Sequence, residues 1–254
     1  MIEILKILFN IPFLLYSCYS DLNSRRVSNK VWKYMLALGS IFVCYEINTE
    51  GMPFIKSLLL SGVLVFTVVY ILFQLGAFGG GDAKGLIVLS ILFPSYPVYH
   101  LYGETYPLLG LPPVGLFTFT ALGNALLVTI IVPLAMFCYN LLHFSPEMIE
   151  NPFYMFLGYR TEVSSLKHKK HFGLLEKFEL DESGRLKIKF SRIGNCFDED
   201  QRPEIEEYLK KGLIKKDIWV TPCLPFMLSI TAGFFITVIL GDLTYYIVTQ
   251  LIAN

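Results

Sequence analysis

Charge is scarce in this chain, and what there is cancels. Of 254 residues only 17% are charged, with Lys+Arg 21 against Asp+Glu 21, whereas soluble chains carry about 25%. A net charge of zero lacks the basic excess of a dedicated nucleic-acid binder, so no nucleic-acid partner is expected. Cys-x-x-Cys pairs are absent: Cys18, Cys44, Cys138, Cys196 and Cys223 stand scattered. An odd count without a pairing pattern argues against a disulfide framework or a zinc knuckle. It predicts five free thiols, mostly in membrane segments. No histidine opens a His-Glu-x-x-His run, which leaves a zinc protease unsupported, and no glycine has a serine two positions on, so a Gly-x-Ser nucleophile is missing. Metal-ligand spacing is absent too, and no metal or organic cofactor is expected. Lys167-His168-Lys169-Lys170-His171 reads as a solvated basic surface near anionic lipid. No internal repeat or low-complexity stretch stands out.

Apolar residues dominate, at 54% with a mean hydropathy of +0.54, which points to an integral membrane protein. Three runs carry no charge: Ser57–Gly81, Thr105–Pro146 and Ile218–Gly241. A spanning helix needs about 20 apolar residues, so Ser57–Phe78, Gly115–His143 and Pro222–Thr249 are expected to cross. Met1–Ser20 lacks the small-residue cleavage site of a signal peptide and is expected to remain as a fourth span. Val31–Tyr45 makes a short fifth, with Lys33 able to snorkel. Ala83–Phe93 is apolar but reaches only about 17 Å, and Pro94, Pro97, Pro107, Pro112 and Pro113 follow it. A helix that short is tolerated where protein surrounds it, so an inner, half-length helix is expected.

Arg25, Arg26, Lys30 and Lys33 crowd residues 21–33, Glu46 and Glu50 outnumber Lys56 in the 45–56 loop, and 94–113 holds no Lys or Arg. The positive-inside rule then puts 21–33 in the cytoplasm and 94–113 outside, with both termini outside. Residues 144–220 concentrate 14 of the 21 basic and 14 of the 21 acidic residues and read as a cytoplasmic soluble domain. Leu186, Ile188 and Phe190 alternate with Lys187 and Lys189 as in one strand of a hairpin turning at Asp181–Gly184. Pro203 opens a helix through Lys211 that Gly212 ends, and Asp217–Thr221 forms a last strand.

An acidic side chain in an apolar segment is costly, about 2.5–3.5 kcal/mol on insertion scales, and is functional by default. Seven acidic residues lie outside the soluble domain: Glu3, Asp21, Glu46, Glu50, Asp82, Glu104 and Asp242. Glu3, Glu46, Glu50 and Glu104 fall at outer ends or loops, where solvation suffices, and Asp242 reads as an outer-interface residue. Asp21 and Asp82 map to the cytoplasmic ends of different helices. Close carboxylates cannot both ionise, so one keeps its proton. The ionised one can take a proton from water and the other can donate to a carbonyl, as in aspartic peptide hydrolysis. A structural or ion-coupling pair is the alternative. Gly79-Gly80-Gly81 precedes Asp82, and three residues without side chains would let an extended substrate backbone approach. Lys84 either snorkels to headgroups or tunes the pair.

Gly79-Gly80-Gly81-Asp82-Ala83-Lys84 resembles the GxGD motif, often followed by x-Lys, of the type IV prepilin peptidase family of intramembrane aspartic proteases. Asp21-Leu22-Asn23-Ser24-Arg25-Arg26-Val27-Ser28-Asn29 resembles that family's first-aspartate motif, with Val27-Ser28-Asn29 where members usually have Ile-Pro-Asn. Within the family the chain is most similar to the archaeal preflagellin peptidases, lacking the paired Cys-x-x-Cys domain of bacterial members and carrying a soluble insert before the last span. Presenilin-like proteases place a Tyr before the first aspartate, where this chain has Ser20. The resemblance implies that Asp21 and Asp82 are the catalytic pair. It also implies cleavage of a short basic leader, as in preflagellin or pilin-like precursors, at the cytoplasmic face. Arg25 and Arg26 then act as orientation determinants, and Glu204, Glu206 or Glu207 could attract the leader, although a solvated helix face explains them as well.

The expectation is an all-α membrane protein of six transmembrane helices, one short, with a small α+β cytoplasmic insert. Residues 1–143 hold helices one to five, 144–220 the soluble domain and 221–254 the sixth helix. Its surroundings are membrane lipid and its substrate a basic-leader precursor. The rival reading is a non-enzymatic membrane protein using Asp21 and Asp82 as an ion or proton relay, which has no need of backbone approach at 79–81.

Overall fold

The structure, a computed structural model, describes residues 2–77, 79–168, 172–180, 186–190, 202–223 and 225–253. The chain divides into two compact units, Met1–Thr129 with Pro225–Asn254, and Ile130–Leu224.

The first unit opens with α1 (Ile2–Ser24), α2 (Asn29–Glu50), α3 (Met52–Gln74) and the short α4 (Gly80–Leu92). A two-stranded hairpin, β1 (Tyr99–Leu101) and β2 (Glu104–Tyr106), precedes α5 (Phe117–Leu142), whose first half belongs to this unit. After the second unit come α8 (Phe226–Ile239) and α9 (Leu243–Ala253). The helix α4 packs against α2, α3 and α8. Its Leu86, Leu89 and Leu92 are fully buried, as suits 13 residues that reach only about 20 Å. Phe93, Phe117 and Phe234 close the core, with ring centroids 4.9–5.6 Å apart. Small residues let the backbones approach. A Cβ on Gly233 would stand 2.3 Å from the Ala121 carbonyl of α5, and one on Gly85 would stand 2.9 Å from the Trp32 ring of α2.

Three helices, α1, α3 and α5, are long and apolar enough to cross a membrane, and α8 with α9 qualifies as a bent pair. The chain is a membrane protein. Three expectations change. The last span is two helices bent by 62°. The loop at residues 108–109 supplies the physical reason. Leu108 and Leu109 donate their N–H groups to the carbonyls of Ile239 and Leu240, so the end of α8 is satisfied by a loop. Gly241 then turns at φ +105°, and Asp242 accepts the Tyr245 N–H to start α9.

Next, the helix expected at Val31–Tyr45 runs over 22 residues, roughly 33 Å, and Gly51 alone joins it to α3. There is therefore no 45–56 loop, and Glu46 is not solvated there. It is buried in α2, where the Lys6 ammonium of α1 donates to it. Lys6 also pairs with Glu3 at 3.2 Å. Last, Cys18, Cys44 and Cys138 are free thiols, but Cys223 is disulfide-bonded, against the expectation of five free thiols. Cys196 lies outside the described residues.

In the second unit α6 (Tyr154–Leu157) leads into β3 (Tyr159–Glu162), followed by β4 (Phe172–Leu174), β5 (Glu176–Leu180), β6 (Leu186–Phe190), α7 (Arg202–Lys210) and β7 (Asp217–Pro222). The strand β7 is central in an antiparallel sheet ordered β3-β7-β4, pairing Tyr159 with Val220 and Phe172 with Pro222. The strands β5 and β6 form the hairpin, Phe178 opposite Ile188. Its turn at 181–185 lies outside the described residues, as do 169–171 of the basic run.

Candidate active site

The two aspartates sit at helix ends that the fold gathers together. Asp21 occupies the last turn of α1, and Asp82 the first turn of α4. Beyond Asp21 the chain doubles back. Arg25 donates its N–H to the Asp21 carbonyl at 3.0 Å and turns at φ 54°. The Ser20 and Ser24 hydroxyls both donate to the Arg26 carbonyl, at 2.7 and 3.1 Å. Ser28 then caps α2 by accepting the Lys30 N–H.

This folded-back loop lies against α4. The position of a Cβ on Gly81 would be 3.5 Å from the Val27 side chain. The Lys84 ammonium donates to Asn29 Oδ1 at 2.7 Å, so a side chain two residues after Asp82 latches the start of α2. The segment that follows Asp21 thus lies beside the first turn of α4, which carries Asp82, and Arg25 in that segment is half-buried.

Each carboxylate is held by a helix start. Asp82 Oδ2 accepts the Gly79 N–H at 3.1 Å, the return half of a capping box. Asp21 Oδ2 accepts the Met227 N–H in the first turn of α8 at 3.4 Å. The first N–H groups of a helix have no partner within it, so carboxylates satisfy them well. Neighbouring Cys18 donates to Thr231 Oγ1 at 3.1 Å, tying α1 to α8 one turn deeper. Asp21 and Asp82 both remain partly exposed.

At none of the three glycines would a Cβ come closer than 3.4 Å to a neighbour. Gly79 is extended, and Gly80 and Gly81 are the first two helical residues. A Cβ at Gly80 would meet Phe73 at an ordinary 3.6 Å. Nothing in the resting geometry excludes alanine there, in contrast to Gly85 and Gly233. Among the described residues no three His, Cys, Asp or Glu side chains gather to hold a metal ion.

Of the site residues expected from sequence, Asp21, Asp82, Gly79, Gly80, Gly81 and Lys84 come together at one end of the helices. Asp242 stands elsewhere, accepting the Thr120 hydroxyl at 3.2 Å. Two partners escaped the sequence reading. Asn29 carried a signal, being the polar residue that closes the first-aspartate motif. Met227 carried none, because its contribution is a main-chain N–H 206 residues from Asp21.

The acidic groups suggested for leader attraction lie in the second unit. Glu207 pairs with Lys211 on the exposed face of α7, as a solvated helix would. A separate cleft of about 410 Å³ there is lined by Glu150, Tyr154, Arg160, Glu176, Lys215 and Trp219, among others. Burial pushes the Glu176 carboxyl up, opposed by the Trp219 N–H and the charges of Arg160 and Lys215.

The sequence model described as the type IV leader peptidase family matches residues 8–141. A second model, the archaeal peptidase A24 C-terminus type II, matches residues 150–243. A preflagellin peptidase of Methanocaldococcus jannaschii is 29% identical over 238 residues, covering 91% of this chain and 92% of that protein. A preflagellin peptidase of Methanococcus voltae is 28% identical over 233 residues, covering 90% and 92%.

Proposed function

The chain belongs to the type IV leader peptidase family, and from that premise we propose that it is an intramembrane aspartic endopeptidase with Asp21 and Asp82 as its catalytic pair. Its substrate is a preflagellin or pilin-like precursor, cut behind a short basic leader at the cytoplasmic face. The observation that carries the reading is the latch: Lys84 on Asn29 holds the segment after Asp21 against the helix that bears Asp82. A structural pair of aspartates would have no use for three glycines beside it that packing does not require.

The mechanism follows from two carboxyls sharing one proton. The ionised carboxylate takes a proton from water as the water oxygen bonds to the scissile carbonyl carbon. The protonated partner donates to the carbonyl oxygen. The tetrahedral intermediate then breaks its C–N bond, with a proton passing from a carboxyl to the leaving amine. The product hydroxyl returns its proton to the pair. Gly79–Gly81 gives an extended substrate backbone room beside Asp82. In this reading six segments cross or enter the membrane: α1, α2, α3, the short α4, α5 and the α8–α9 pair. Both termini lie outside, and residues 144–220 work in the cytoplasm.

The test is cleavage of a leader-bearing precursor by membranes carrying the full chain. Asp21→Asn and Asp82→Asn should each abolish cleavage while the protein still inserts and folds. Asp82→Glu should also be poor, since displacement of a positioned group by about 1 Å can cost roughly 100-fold. Near-normal turnover by either Asn variant would remove the pair from the chemistry.

A further inference from the structure

Beside the active-site end, α2 and α4 leave a groove of about 270 Å³ on their outer flank. Helix spacing builds it. Asn29, Lys33 and Leu36 recur at i, i+4 and i+7 on one face of α2, and Lys84, Ile87 and Val88 recur at i, i+3 and i+4 on the facing side of α4. Trp32 closes the floor, where Gly85 lets the two backbones meet. The body of the groove is apolar, and two ammonium groups stand at its mouth.

The charges there are unbalanced. Lys84 spends one donor on Asn29 Oδ1, a neutral acceptor, and has two left. Lys33 is exposed, and among the described residues its ammonium has no partner. No acidic side chain lines the groove. An apolar slot between two helices, lined at one end by two cations, is complementary to a lipid's hydrocarbon tail below an anionic headgroup. A basic leader would be repelled by the same two lysines, so charge sets this groove apart from the path of the proposed substrate.

We propose that the α2–α4 groove is a binding site for one anionic phospholipid, its hydrocarbon tail along Leu36, Ile87 and Val88 and its phosphate between Lys33 and Lys84. The lipid lies against the Lys84–Asn29 latch and would bridge the two helices that the latch joins. The site stands whether or not Asp21 and Asp82 are the catalytic pair, because it uses neither.

Native mass spectrometry of the full chain in detergent, titrated with phosphatidylglycerol or phosphatidylcholine, tests it. The protein should retain one phosphatidylglycerol in preference to phosphatidylcholine. Lys33→Gln should lower that preference about fivefold, as expected for the loss of one lysine near a charged headgroup. Lys33→Arg should keep it, and Lys56→Gln, away from the groove, should leave it unchanged. Leu36→Trp, which fills the slot, should reduce retention of both lipids. Equal retention of the two lipids, or an unchanged preference in Lys33→Gln, would overturn the proposal. So would displacement of the bound phosphatidylglycerol by one equivalent of a leader-bearing precursor, which would give the groove to the substrate.

Discussion

Lys6 and Glu46 are both about 3% exposed and meet across α1 and α2. Phe93, whose ring centroid is 5.0 Å from the ammonium, covers the pair. Removing one partner of a buried pair leaves a charge without compensation, at a cost of roughly 3–5 kcal/mol. Glu3 still neutralises part of Lys6, so Glu46→Gln should destabilise by about 2–4 kcal/mol. The double variant Lys6→Met with Glu46→Leu should recover most of that loss. Thermal unfolding in detergent reads both, and a single variant as stable as the parent would show that the pair is not compensated where it stands. The position of Asp21 and Asp82 at helix ends was legible in the sequence because each stands at the edge of an apolar run. Glu46 was not, because its context resembled a polar loop and its cation lies 40 residues away. Only the length of α2 reveals that Glu46 is inside a helix.

The elements themselves were mostly legible from hydropathy, which responds to apolar length, and the short helix followed from the prolines behind it. Where an apolar run bends is a different matter. The span expected at Pro222–Thr249 reads as continuous, yet tertiary partners break it. Asn124 donates to Thr237 Oγ1 at 2.9 Å and to the Gly241 carbonyl at 2.8 Å, and accepts the Leu243 N–H at 3.2 Å. One buried side chain therefore satisfies the bend. Asn124→Leu should lower stability by roughly 2–3 kcal/mol, since buried polar groups left unpaired cost about 1–3 kcal/mol each. Unfolding in detergent measures it, and a change below about 0.5 kcal/mol, the range of neutral substitutions, would mean that the break is held by other contacts. At the start of α4 a Cβ on Gly80 meets Phe73 at an ordinary 3.6 Å, so substitution there separates function from packing. Gly80→Val should reduce turnover at least tenfold while the unfolding transition stays close to the parent's. Full activity in Gly80→Val would make the glycines an ordinary helix start.

For the whole molecule the untested quantity is direction across the membrane. The asymmetry of Arg25, Arg26, Lys30 and Lys33 against a 94–113 segment with no Lys or Arg orients the set by the positive-inside rule. A cysteine at position 25 should be labelled only from the cytoplasm and one at position 104 only from outside, by a membrane-impermeant thiol reagent on intact cells and inverted vesicles. Reversed labelling would put Asp21 and Asp82 on the wrong side for a cytoplasmic leader. The buried Lys6–Glu46 pair adds a constraint on biogenesis. When Lys6 leaves the ribosome it has only Glu3 beside it, and its main counterion follows 40 residues later. At about 5–20 residues per second, that delay is roughly 2–8 s. During it α1 carries a charge that lipid does not accept, so α1 is expected to wait beside the insertion machinery until α2 arrives, and the first two helices enter the bilayer as partners.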